Sequence, residues 1–156
     1  MAYAFYIDAM LGKLARFLRL LGYDALYRTN QPVMQMLITA AEENRIIVSR
    51  SKNVTTLAKT VGVPHILICD IDVVKQLLQI KTELKLHFNC FPANARCSLC
   101  NSPLEKKQKG EIIHLIPSGT ANHYTDFWFC PKCQQVYWFG SHWEDICKKI
   151  EKVNKL

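Results

Sequence analysis

Two Cys-x-x-Cys motifs in the C-terminal half, Cys97-Ser98-Leu99-Cys100 and Cys130-Pro131-Lys132-Cys133, constrain this chain more than any other feature. Each turns two thiols toward one point from a tight loop, and a pair of such knuckles supplies four soft ligands for a tetrahedral metal ion. The 29 residues between Cys100 and Cys130 are enough for a β-hairpin that returns the second knuckle to the first. Four sulfur ligands favour zinc and close its coordination sphere, so the metal is expected to hold the fold and not to activate water. The competing arrangements are two disulfides or four unrelated thiols, and the spacing and flanking turn residues speak against both. A C-terminal β zinc ribbon, with Zn on Cys97, Cys100, Cys130 and Cys133, is the expectation.

The remaining Cys69, Cys90 and Cys147 form an odd set, widely separated in sequence. That argues against a secreted disulfide framework and for small buried apolar side chains. No basic-then-apolar signal opens the chain, and its apolar runs fall far short of the roughly 20 residues that span a bilayer. A soluble, cytoplasmic protein with no membrane partner is expected. The 156 residues accommodate an α/β domain over residues 1–88 and a metal-stapled domain over residues 89–156. The formal charge of +7 falls to about +5 once four thiolates and one divalent ion are counted. Residues 1–70 carry 8 basic and 5 acidic side chains, and residues 71–156 carry 12 and 8. Both halves are basic, which favours a polyanionic partner, nucleic acid before membrane.

The N-terminal half alternates between two periodicities. Tyr3 to Ile7 reads as a strand with Asp8 at its carboxyl end. Met10, Leu11, Leu14, Ala15, Leu18 and Leu21 then repeat at helical spacing until Gly22 offers a left-handed stop. A short strand at Leu26-Tyr27 precedes a helix opened by Pro32, with Asn30 as its expected cap. Ile46-Ile47-Val48 is a β-branched run suited to a strand covered on both faces. Val54 to Val61 makes a helix, His65 to Cys69 a strand, and Asp72 can cap a helix through Leu78. Residues 81–96 read as a linker. Strands and helices taking turns imply a small parallel sheet with helices on both faces, whose ligands gather beyond the carboxyl ends of the strands. Asp8, Ser49-Arg50-Ser51, Asp70 and Asp72 fall there.

Two blocks of this sequence resemble a known family. The first is Ile7-Asp8-Ala9-Met10-Leu11-Gly12-Lys13-Leu14-Ala15-Arg16 with Leu18-Arg19-Leu20-Leu21-Gly22-Tyr23-Asp24. The second is Arg96-Cys97 to Cys100-Asn101, Pro103-Leu104, and Cys130 to Cys133 with Val136-Tyr137-Trp138 and Gly140-Ser141-His142-Trp143. Both are similar to the C-terminal RNase domain family named after the Mut-seven exonuclease, and together they cover nearly the whole chain. The resemblance implies a PIN-like nuclease fold joined to a zinc ribbon, with RNA as substrate or ligand. Such nucleases look like metal-dependent hydrolases of phosphodiesters, in which carboxylates at the strand ends hold Mg or Mn.

Asp8 matches the first of those carboxylates and is the one candidate catalytic residue. The family's acidic pair at the start of the second helix falls on Val33 and Met34, and its acidic residue after the third strand falls on Ser51. Valine and methionine cannot ligate Mg, and a serine hydroxyl is a poor ligand for a hard cation. Asp70 and Asp72 stand nearby in sequence order, although a helix-capping role suits Asp72 better. The expected reading is therefore an RNA-binding member whose Mg or Mn site has degenerated. An active divalent-metal endoribonuclease and a structural subunit of a ribonucleoprotein assembly are the alternatives. Lys13, Arg16 and Arg19 on the first helix, Arg50 at a strand end and His142 in the ribbon are the candidate RNA contacts. Lys13, Arg16 and Arg19 fit equally well as a solvated helix face. Along Val136 to Phe139, strand alternation places Tyr137 and Phe139 on one face and Trp138 on the other.

Overall fold

A computed structural model describes residues 2–156. Its first half holds a parallel sheet built from β1 (Ala4–Ile7), β2 (Asp24–Tyr27), β3 (Ile46–Ser49) and β4 (His65–Leu67), in the order β2-β1-β3-β4. The helices α1 (Gly12–Leu20), α2 (Val33–Glu42), α3 (Lys52–Thr60) and α4 (Val73–Leu84) follow the strands in turn. Side chains alternate across the central strands, as the pleat requires. Phe5, Ile7 and Val48 join Leu14, Leu18, Leu77 and Ile80 of α1 and α4 in one cluster. Tyr6 and Ile47 point the other way, into Met36, Leu37, Val54 and Ala58 of α2 and α3. A parallel sheet covered on both faces is thus confirmed.

The local signals held where a specific residue enforces them. Gly22 ends α1 with φ +91°, and a Cβ there would meet the Asn94 carbonyl oxygen at 2.7 Å, so both backbone and space demand glycine. Asp72 caps α4 through the amides of Val74 and Lys75. Asn30 is no cap: it is left-handed at φ 58°, and Pro32 occupies the cap position of α2. Helix α4 runs to Leu84, beyond the expected stop at Leu78 and into the expected linker.

The second half contains an antiparallel sheet of β5 (Glu105–Lys107), β6 (Phe127–Phe129) and β7 (Val136–Tyr137). The stretch between the knuckles is not a simple hairpin, because the short helices α5 (Lys109–Ile112) and α6 (Ser118–His123) intervene between β5 and β6. The chain closes with α7 (Ser141–Lys155). Trp143, Ile146, Ile150 and Val153 of α7 lie in the same core as α1, α4 and the sheet. Phe88, at the expected domain boundary, is also buried in that core, where Asn154 brackets it with hydrogen bonds to its backbone N–H and C=O. One apolar core therefore runs across residues 88 and 89.

Helix α7 also corrects the reading of two cysteines. Cys90 and Cys147 form a disulfide and are not independent apolar fillers, because α7 carries residue 147 back to the segment that leaves α4. Cys69 is exposed. No helix among the described residues is long and apolar enough to cross a membrane.

Candidate metal centre and nucleic-acid interface

The two knuckles adopt the same backbone geometry. In each, the first cysteine's amide donates to the carbonyl five residues on, and its carbonyl accepts from the amide four residues on. The bonds are Cys97 to Ser102 and Asn101 to Cys97, then Cys130 to Gln135 and Gln134 to Cys130. The residue after each second cysteine, Asn101 or Gln134, turns the chain with positive φ. This brings the sulfurs of Cys97, Cys100, Cys130 and Cys133 within 4.8 Å of one another. Four such sulfurs form a site that can hold a metal ion.

Ionisation is uneven among Cys100, Cys130 and Cys133. Burial opposes ionisation of Cys100, but hydrogen bonds from the Ser102 hydroxyl and amide hold its thiol down at about 6. Cys133 is pushed up to about 12, first by its hydrogen bond with Cys100 and then by burial. Burial also raises Cys130. The Cys100 thiolate thus forms more readily than those of Cys130 and Cys133. The Tyr137 hydroxyl closes the site from one side, contacting Cys97 Sγ at 3.2 Å and Ser98 N at 3.1 Å. Burial and the Cys97 contact push that phenol up to about 12.

Arg19, one of the expected RNA contacts, differs from Lys13 and Arg16 in being buried. Its side chain is 4% exposed. Nε donates to the Ala25 carbonyl at 2.9 Å, and Nη1 donates to the carbonyls of Ser98 and Leu99 at 2.9 and 3.1 Å. Through Nε and Nη1 the guanidinium fastens the first knuckle to the outer edge of β2, and the residue also lines a cleft beside Lys13 and Arg16. Burial lowers its pKa, and the neighbouring Cys97 and Cys100 oppose that shift. Asn101 completes the joint, accepting from the Ala25 amide at 3.1 Å and donating to Asp24 at 2.7 Å. The β2 edge, which in an open sheet invites foreign strands, is thereby occupied.

Lys13 and Arg16 remain exposed on α1. They line two adjoining clefts that meet at Ser98. One, of about 470 Å³, lies between α1, Tyr27 and the first knuckle. The other, of about 410 Å³, lies between α1 and α7 and is also lined by His142, Lys149 and Asp145. Three candidate RNA contacts, Lys13, Arg16 and His142, are thus brought together. Arg50 is exposed at the end of β3, on neither cleft. Lys149 was missed because its place on this groove depends on the docking of α7.

Asp8 sits at the carboxyl end of β1, where its Oδ1 accepts from the Ala9 amide at 2.7 Å and its Oδ2 from the buried Ser49 hydroxyl. Val33 packs partly buried in the α2–α3 cluster, Met34 is exposed, and Ser51 caps α3 by accepting from the Val54 amide. Asp72 is spent on its helix cap, while Asp70 accepts from the Asp72 amide and pairs with Lys75 at 3.3 Å. The Asp72 amide holds the Asp70 carboxyl below its ordinary value. Among the described residues, the four cysteines are the one group of three or more potential ligands that converges.

Among the ribbon aromatics, Phe127, Trp128 and Trp143 are buried, and Tyr124, Phe129, Tyr137 and Trp138 are partly buried. Strand β7 ends at Tyr137, so the expected alternation does not continue to Phe139, which is exposed. Nothing matches the chain among curated proteins or among solved structures. The Mut7-C RNAse domain model, in contrast, matches residues 3–150, and with almost the whole length inside that match the chain belongs to the Mut7-C RNase domain family.

Proposed function

We propose that this protein binds RNA through the α1 groove and has lost the metal-dependent cleavage of its family, with zinc on the four cysteines as a purely structural ion. The observation that carries the reading is the state of the strand ends. Among the described residues, Asp8 belongs to no converging group of three or more potential metal ligands, while Lys13 and Arg16 stay exposed on the adjoining clefts. Fewer acidic groups mean less repulsion toward phosphate, so a surface that no longer holds Mg or Mn binds a backbone more readily. The proposed location is the cytoplasm, where the Cys90–Cys147 disulfide of the structure would be open to reduction.

The test is RNA affinity over a salt series, together with incubation of labelled RNA in Mg and in Mn. Binding that weakens with salt and RNA that stays intact are expected. Turnover that Asp8→Asn abolishes would establish the endoribonuclease reading instead. A structural subunit is the second alternative, favoured by exposed Met34 and Ile38 one turn apart on α2, and by exposed Leu57 on α3 with exposed Val61 at its C-cap. No RNA binding at low salt, with co-purification of a protein partner, would support it.

A further inference from the structure

We infer that the cleft between Tyr124, Trp138 and the first knuckle is a stacking site for one unpaired base of a single-stranded RNA whose phosphates lie on the α1 groove. The inference rests on the RNA-binding reading above and adds the form of RNA and the place where a base is held.

The cleft, of about 510 Å³, shares Ser98 and His142 with the basic groove, so the two depressions adjoin. Its walls are aromatic and held in place. Trp138 packs edge-on against Phe127 at 6.4 Å between ring centroids. Tyr137 packs edge-on against Trp143 at 6.5 Å, with its hydroxyl fixed on Cys97 and Ser98. Unlike the buried Trp128 and Trp143, both Tyr124 and Trp138 are partly exposed.

The floor is Gly140. A Cβ at that position would meet Trp138 Nε1 at 2.9 Å and Tyr124 Oη at 3.4 Å. With no Cβ to displace them, the donor-only indole N–H and the donor-or-acceptor phenol both stand close against Gly140, and all three residues line the cleft. Aromatic faces with polar ring edges beside a cationic groove match a nucleobase attached to a charged backbone. The apolar rings offer a stacking surface, and the edge groups hydrogen-bond the base. A base inside a duplex must first be unpaired and unstacked, at a cost of about a few kcal/mol, so the site favours single strands.

The test uses the metal-loaded protein and fluorescence anisotropy with three probes: a short single-stranded RNA, the same ribose-phosphate chain made abasic, and the duplex form. Wild-type protein is expected to bind the base-bearing strand roughly 5- to 150-fold more tightly than the abasic one. Trp138→Ala and Tyr124→Ala should remove most of that ratio and leave the salt slope unchanged. Equal wild-type affinity for base-bearing and abasic strands, with steep salt dependence, would overturn the stacking site and leave the RNA reading intact. Tighter binding to duplex would overturn it too. No binding of any probe at low salt would overturn both. The wild-type comparison stands whether or not the variants fold.

Discussion

Replacing Arg19 by methionine separates a fastening role from a ligand-binding one. The substitution keeps an unbranched side chain of similar reach but deletes three hydrogen bonds, to Ala25, Ser98 and Leu99. A hydrogen bond from a charged group is worth about 1.5 to 3 kcal/mol, giving a gross loss of roughly 5 to 9 kcal/mol. Part of that is offset, because a guanidinium this buried had surrendered its hydration, and removing one partner of a buried charged contact has a net effect of about 3 to 5 kcal/mol. For a chain of this length the melting temperature should fall by about 6 to 20 °C. Thermal unfolding by circular dichroism, with the metal loaded, reads this directly. Arg16→Met is the control: it is exposed, so stability should change by no more than about 0.5 kcal/mol. Its RNA binding should weaken, and the salt slope should drop by about one. An Arg19→Met protein that melts at the wild-type temperature yet loses RNA affinity with a flattened salt slope would refute the reasoning.

Removing the metal, by chelation or Cys130→Ser, is expected to destabilise the parallel sheet as well as the ribbon, because Arg19, Asn101 and α7 join the two. Urea unfolding followed by far-UV dichroism and tryptophan fluorescence should shift together, and a sheet transition that stays in place would refute this. Asp24 should make stability fall in acid: burial opposes its ionisation, but hydrogen bonds from Arg45 and Asn101 outweigh it and lower the carboxyl's pKa. A lowered folded-state pKa gives stability that is present above the unfolded value near 3.8 and is lost as pH drops through the folded one. Asp24→Asn should therefore flatten the stability profile below about pH 4, and an unchanged profile would count against it. Lys13→Ala with Lys149→Ala should weaken RNA binding without altering the melting temperature, and unaltered affinity would remove the groove between α1 and α7 from the interface.

The sequence made the parallel sheet legible because each strand carries its own signal: β-branched residues, a capping Asp72, a glycine at the stop of α1. The cysteine cluster was legible for the same reason, since knuckle spacing is local. The burial of Arg19 was not legible because its neighbours Lys13 and Arg16 are exposed on the same helix. Only the arrival of the Ser98 and Leu99 carbonyls from far along the chain distinguishes it. The Cys90–Cys147 pairing and the placement of Lys149 were hidden by one omission. The spacing of Trp143, Ile146, Ile150 and Val153 marks an amphipathic helix, and recognising α7 was the signal available for both.

All four clustered cysteines lie between Cys90 and Cys147, so a metal bound on them would be a closure nested inside the disulfide. With the outer closure made, a ribbon that loses its ion remains a ring tethered at both ends. Its ligands stay near one another, and reloading needs no search by a free chain. With the outer closure open, the ion alone limits how far the segment strays. The order in which the two form should then govern how quickly the ribbon recovers from metal loss: oxidised protein would reload faster than reduced protein at the same metal concentration.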